Sequence, residues 1–155
     1  MIRVAAAADG PTICRLIRQL AKHARLEHEV TFYDRELHEH LFGPRPRAEA
    51  LVAEEAGEIV GFALFFHSFS TFAGKPGLYL EDLFVEPMYR DRGHGKALFQ
   101  AVVRLALARG CGRMEWSVLD WNEPAIRFYR SLGAKALDEA TIFRLAGESL
   151  ANAAG

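Results

Sequence analysis

The stretch that most constrains the fold runs over residues 85–110, VEPMYRDRGHGKALFQAVVRLALARG. Its second half has the apolar spacing of an amphipathic helix. Its entry packs Arg90, Asp91, Arg92, Gly93, His94, Gly95 and Lys96 into one turn. A helix N-terminus presents unpaired N–H groups and a partial positive charge, so anions bind there. Gly93 and Gly95 let the backbone approach such a guest, because no Cβ intervenes. Arg90, Arg92 and Lys96 add charge around it. Hydrogen bonds to a charged group contribute about 1.5–3 kcal/mol each, against about 0–1 kcal/mol for a surface ion pair. Main-chain amides therefore outweigh any one of these cations, and a phosphate or diphosphate is the natural guest. A solvated Gly-rich turn is the competing reading.

Three phosphate motifs compete for this turn. A Walker A loop requires Gly at 90 and Ser or Thr at 97, where Arg90 and Ala97 stand. A dinucleotide fingerprint requires a third Gly at Leu98 and a strand running directly into the turn. The remaining pattern, R-x-x-G-x-G at a helix head, is met by Arg90, Gly93 and Gly95.

Around this turn the chain alternates strand and helix. Residues 2–5 predict a strand, and 13–24 a helix capped by Asp9 or Thr12. A weaker helix covers 33–41. ALVAEEAGEIVGFALFF predicts two strands joined at Ala56-Gly57. SFSTFAGKPG reads as a loop, LYLEDLFV and RMEWSVL as strands, and NEPAIRFYRSLG as a helix with Pro124 in its first turn and Gly133 past its end. KALDEATIFRL predicts a closing strand. The order β-α-α-β-β-β-α-β-α-β is a mixed α/β or α+β fold with an internal hairpin. A single domain is expected over 1–146, with 147–155 a frayed tail.

Half the residues are hydrophobic and the net charge is −1, which excludes a disordered chain and disfavours a general nucleic-acid binder. No apolar run nears the ~20 residues that span a bilayer, so no membrane role and a cytoplasmic location are expected. Cys14 and Cys111 lack metal-like spacing and read as reduced thiols. His38 and His40, two apart on a helix, diverge by about 200°, so no metal is expected.

Two stretches, YLEDLFVEPMYRDRGHGKAL and VLDWNEPAIRFYRSLGA, together resemble the GNAT N-acetyltransferase superfamily, in the branch that holds spermidine/spermine and thialysine N-acetyltransferases. The resemblance implies a twisted mixed sheet of six or seven strands with about four helices, and acetyl-CoA in a cleft where the central strands splay. It implies that backbone groups of Leu83, Phe84 and Val85 line the pantetheine arm. Amides from Asp91, Arg92, Gly93, His94, Gly95 and Lys96 would wrap the diphosphate, with Arg90 beside them, as the turn chemistry suggests on its own. Asn122, Glu123, Pro124 and Ala125 would border the cosubstrate from the other side. A homodimer is also expected.

Acetyl transfer to an amine poses two proton problems. An amine of pKa ~10 is mostly cationic at neutral pH and must lose a proton before it attacks. The departing thiolate can take one back. In LYLEDLF, strict alternation puts Tyr79, Glu81 and Leu83 on one face, and Leu80, Asp82 and Phe84 on the other. A charge in mid-strand is costly without a partner or a task. Glu81 is the candidate on the amine side, directly or through water, and Asp82 is read as structural. Tyr129, in the family-like FYRSLGA, is the candidate acid for the thiolate. Glu81, Glu115 and Trp116 are candidate substrate contacts. The acceptor is left open among a polyamine, thialysine, another small amino compound, a drug and a protein N-terminus. A non-catalytic CoA sensor is the rival class.

Overall fold

In the computed structural model, which describes all 155 residues, the chain forms two compact units, residues 1–117 and 118–155. The first is built on a five-stranded sheet ordered β1-β2-β3-β4-β5. Its strands are β1 (Ile2–Val4), β2 (Glu49–Glu55), β3 (Glu58–Ser70), β4 (Lys75–Val85) and β5 (Met114–Glu115). All neighbours are antiparallel except β4 and β5, which are parallel. Three helices belong to this unit: α1 (Gly10–His23), α2 (Asp34–Phe42) and α3 (His94–Ala108).

Alternation sorts the central strands onto two faces. Ala50, Val52, Phe62, Leu64 and Phe84 share one face and pack with Ile13 and Leu16 of α1 and Leu41 of α2. Helix α3 covers the other, burying Leu98, Phe99, Val102 and Ala106. Full burial contributes about 1.5–3 kcal/mol for each large apolar side chain, so these two layers hold the unit together.

Of the two cap candidates for α1, Asp9 stands at the N-cap, yet its carboxylate turns away from the helix amides. It accepts from the Ala6 N–H at 2.7 Å and takes both oxygens to Arg3, at 2.7 and 3.0 Å. Most of the expected loop at 68–77 is hairpin instead: Ser68, Phe69 and Ser70 pair with Gly77, Pro76 and Lys75. Gly74, at φ 65°, and the Ser70 hydroxyl, which accepts from the Ala73 N–H, close the short turn.

The second unit holds α4 (Glu123–Ser131) and α5 (Glu148–Ala153). Asn122 caps α4 through its side chain, and Gly133, at φ 91°, follows its end. The expected closing strand does not form. Residues 135–146 pair with no strand, and Ile142 and Phe143 are 83% and 92% exposed. The sheet therefore has five strands, not six or seven. The tail is not frayed throughout: Ser149 accepts from the Ala146 N–H and donates to its carbonyl, fixing the start of α5. No helix is long and apolar enough to cross a membrane.

Candidate functional site

A register slip in β4 shapes the site. Leu64 of β3 pairs with Asp82, but the next residue, Phe65, pairs with Leu80. Glu81 is thus the extra residue of a β-bulge, outside the ladder and exposed. Cross-strand partners share a face, so the bulge rewrites the expected alternation. Tyr79, Asp82 and Phe84 lie on the face of α1 and α2, while Leu78, Leu80, Leu83 and Val85 lie on that of α3. Asp82 is half-buried opposite Leu64. Its side chain makes no hydrogen bond or ion pair within the protein. Burial first, and the Glu81 charge second, push its carboxyl from 3.8 up to about 7.

One edge of β4 is open beside the bulge. The parallel pairing with β5 covers Leu78 and Tyr79 alone, against Met114 and Glu115. From Leu80 to Val85 the strand is paired only to β3; the Glu86 N–H bonds the Val60 carbonyl of β3, so by alternation Phe84 also turns its backbone to β3, contrary to its expected place on the arm, while Leu83 and Val85 face the gap. The Tyr79 hydroxyl meets the Ser117 hydroxyl at 2.8 Å, and its ring lies 5.2 Å from Phe66. Glu115 shares the Tyr79 face and pairs with Arg113 at 3.1 Å. Trp116 turns to the opposite face and meets Phe99 of α3 edge-on at 5.2 Å.

The open edge leads into the turn before α3. Asp91 has φ 63° and Gly93 φ 86°, so the chain coils tightly there. No side chain caps α3, and none of the six successive N–H groups from Asp91 to Lys96 finds an acceptor in the chain. A Cβ on Gly95 would meet only Val85, at 3.8 Å. The fold alone does not demand glycine there, whereas a bulky anion seated on these amides would. Residues and geometry fit a diphosphate.

The cations divide their work. Arg90 donates from Nε to the Val85 carbonyl at 2.9 Å and lies over the Phe84 ring, so it braces the loop against the strand. Arg92 pairs with Glu55, and His94 lies 3.2 Å from the same carboxylate. Lys96 is exposed, with no ion pair. Sequence reasoning missed Glu55, since no local signal joins the end of β2 to a turn 37 residues away.

In the second unit, Asn122, Glu123, Pro124 and Ala125 form the head of α4, where the Asn122 side-chain oxygen accepts from the Ala125 N–H at 3.4 Å. Tyr129 lies two turns on, its ring 5.3 Å from Phe128. Burial lifts its phenol from 10.0 to about 12, so it stays protonated across the physiological range.

Residues 15–134 match the family described as Acetyltransferase (GNAT) family. The chain is 39% identical to a thialysine N-epsilon-acetyltransferase of Bos taurus, covering all of this chain and 97% of that one. It is 31% identical to an L-ornithine N5-acetyltransferase of Arabidopsis thaliana, over 96% of this chain and 85% of the relative. Among solved structures, an integron cassette protein from the mobile metagenome of V. cholerae superposes with a TM-score of 0.83 at 23% identity, over 99% of this chain and 96% of that one.

Proposed function

The chain belongs to the acetyltransferase (GNAT) family and is an acetyl-CoA-dependent N-acetyltransferase, and on that premise we propose that its acceptor is the side-chain amine of a small cationic amino compound. The names of the two relatives, thialysine and L-ornithine acetyltransferases, support that class. The single observation that carries the reading is the continuity of one strand. β4 presents the Glu81–Asp82 carboxylates at its bulge, an open backbone edge from Leu83 to Val85, and then the free amides of Asp91 to Lys96. At about 3.3 Å per residue, Asp82 and Glu81 stand about 10 and about 13 Å from Val85 along that edge. An elongated phosphorylated thioester and a cationic amine are the guests that such a series of groups suits.

Acetyl-CoA supplies an activated acetyl group and a thiolate leaving group. In the proposed division of labour, the amides of the turn fix the diphosphate and the edge of β4 orients the arm. Glu81 attracts the ammonium to the bulge, where a carboxylate of the acidic pair takes its proton directly or through water. Glu115, on the Tyr79 face, adds negative charge toward the rest of the substrate. The family resemblance is the ground for assigning residues 122–125 to the cosubstrate and Tyr129 to protonation of the departing sulfur. Burial keeps its phenol protonated, so a proton is at hand as the C–S bond breaks. We also propose that the enzyme acts as a cytoplasmic homodimer without a metal.

The test is a panel of thialysine, ornithine, spermidine and a protein N-terminal peptide, read by mass spectrometry of acetylated products and by thiol release. Acetylation of the first two at the side-chain amine is expected. CoA binding without turnover on any amine would overturn the enzymatic reading in favour of a sensor.

A further inference from the structure

The bulge gives two adjacent carboxylates different surroundings. Glu81 is exposed, whereas Asp82 is drawn to the face covered by α1 and α2, opposite Leu64 and beside Phe84 in the core. No hydrogen bond or ion pair inside the protein offsets the burial of Asp82, and Glu81 is the one charged group that acts on it. None from β3, α1, α2 or β5 does so. A desolvated carboxylate without a counter-ion costs stability, and no contact of its oxygens within the protein offsets that cost. It does border the unpaired stretch of β4 where the substrate amine is proposed to enter.

We propose that Asp82 is the acceptor of the proton released by the substrate ammonium, with Glu81 as the outer carboxylate that holds the cation. This rests on the N-acetyltransferase reading above. The ammonium gives one proton to a carboxylate oxygen of Asp82. The freed nitrogen lone pair forms the N–C bond to the thioester carbonyl carbon, and the C–S bond breaks with its electron pair leaving on sulfur. A second proton leaves the nitrogen and ends on that sulfur. Asp82 returns its own proton to water along the exposed side of Glu81, so each turnover releases one proton, as ammonium acetylation requires. The environment suits the task. Raising the acceptor from an ordinary carboxylate to about 7 improves the transfer equilibrium about a thousandfold.

Two measurements test this. The first needs no catalysis: carbon-detected NMR of the Asp82 carboxyl in the free protein, assigned by its loss in Asp82→Asn. A midpoint near neutral pH is expected, moving downward in Glu81→Gln because the neighbouring charge helps to raise it. The second is the pH profile of kcat/KM with thialysine. The acid limb should match the NMR midpoint, shift with it in Glu81→Gln, and vanish in Asp82→Asn. That variant should lose about 100-fold in kcat/KM or more, with little change in KM for acetyl-CoA. A midpoint in the ordinary carboxylate range, or an acid limb that survives in Asp82→Asn, overturns the proposal while leaving the enzyme an acetyltransferase. Turnover of no amine by the wild type would instead sink the reading beneath it. Should Asp82→Asn not fold, Asp82→Glu supplies the assignment by removing the aspartate carboxyl signal, and the parallel shift of midpoint and acid limb in Glu81→Gln decides.

Discussion

Gly95 and Tyr129 carry the cleanest tests at the scale of single residues. The backbone at Gly95 is ordinary helix, and a Cβ would find open space but for one methyl of Val85 at 3.8 Å. Gly95→Val should therefore leave the fold intact, at a helix-propensity change within about 1 kcal/mol. It should weaken CoA by at least about tenfold, one lost amide contact being worth 1.5 kcal/mol or more. Isothermal titration with CoA reads this directly, and full affinity in a folded variant refutes the diphosphate cradle. Tyr129 makes the complementary case. Tyr129→Phe keeps the ring and removes only the hydroxyl. It should lower kcat about 100-fold while CoA affinity stays within about twofold. Stopped-flow thiol release separates the two quantities, and an unchanged rate removes Tyr129 as the acid.

Elements show what a sequence discloses and what it conceals. The helix at 10–23 was legible from Ile13, Leu16, Ile17 and Leu20, because its apolar stripe needs only local spacing. The turn before α3 was legible from two glycines set among cations at a helix head, and the structure adds that Gly93 takes φ 86°. The faces of β4 were not. A one-residue slip between Leu64 and Phe65 inverts every assignment beyond it, and no pattern in LYLEDLF announces a bulge. Hence Glu81 was singled out while Asp82, the more desolvated neighbour, was passed over. Long-range ties were hidden too, and the junction of β1 with α1 is one of them. Arg3 holds Asp9 through two hydrogen bonds and also reaches Glu54, and Asp9 accepts from the Ala6 amide. The Arg3 guanidinium holds the Asp9 carboxyl below its usual 3.8. A depressed folded pKa contributes stability above the unfolded value, lost as pH falls through the folded one. Asp9→Asn should thus destabilise the protein by about 1–3 kcal/mol at neutral pH. The gap to wild type should narrow steadily as pH falls below 3.8. Urea melts across that range check the sign, and a gap independent of pH would mean that the charge is not what matters.

At the scale of the whole molecule, the unpaired segment 135–146 bears on assembly. Its sequence, KALDEATIFRLA, has strand-forming residues in Thr141, Ile142 and Phe143, yet it joins no ladder. Leu137, Ile142, Phe143 and Leu145 are all exposed. Isolated exposed apolar residues are ordinary, but four within nine positions of a strand-like segment present both a greasy surface and unpaired main-chain groups. A second copy of this chain can satisfy both at once, since a two-fold interface offers each copy the same segment. The homodimer expected of this family would then use residues 135–146 as one of its contacts. Sedimentation equilibrium at micromolar concentration should give twice the 17.3 kDa of one chain. Phe143→Asp places a charge on a residue already 92% exposed, so within one chain it should cost almost nothing. In the dimer it would bury an unpaired carboxylate, and dissociation to the single chain should follow. A wild type that sediments as one chain at high protein concentration refutes the dimer. A dimer that tolerates Phe143→Asp moves the interface elsewhere, with the exposed Phe69 and Phe72 at the β3–β4 hairpin the next surface to alter.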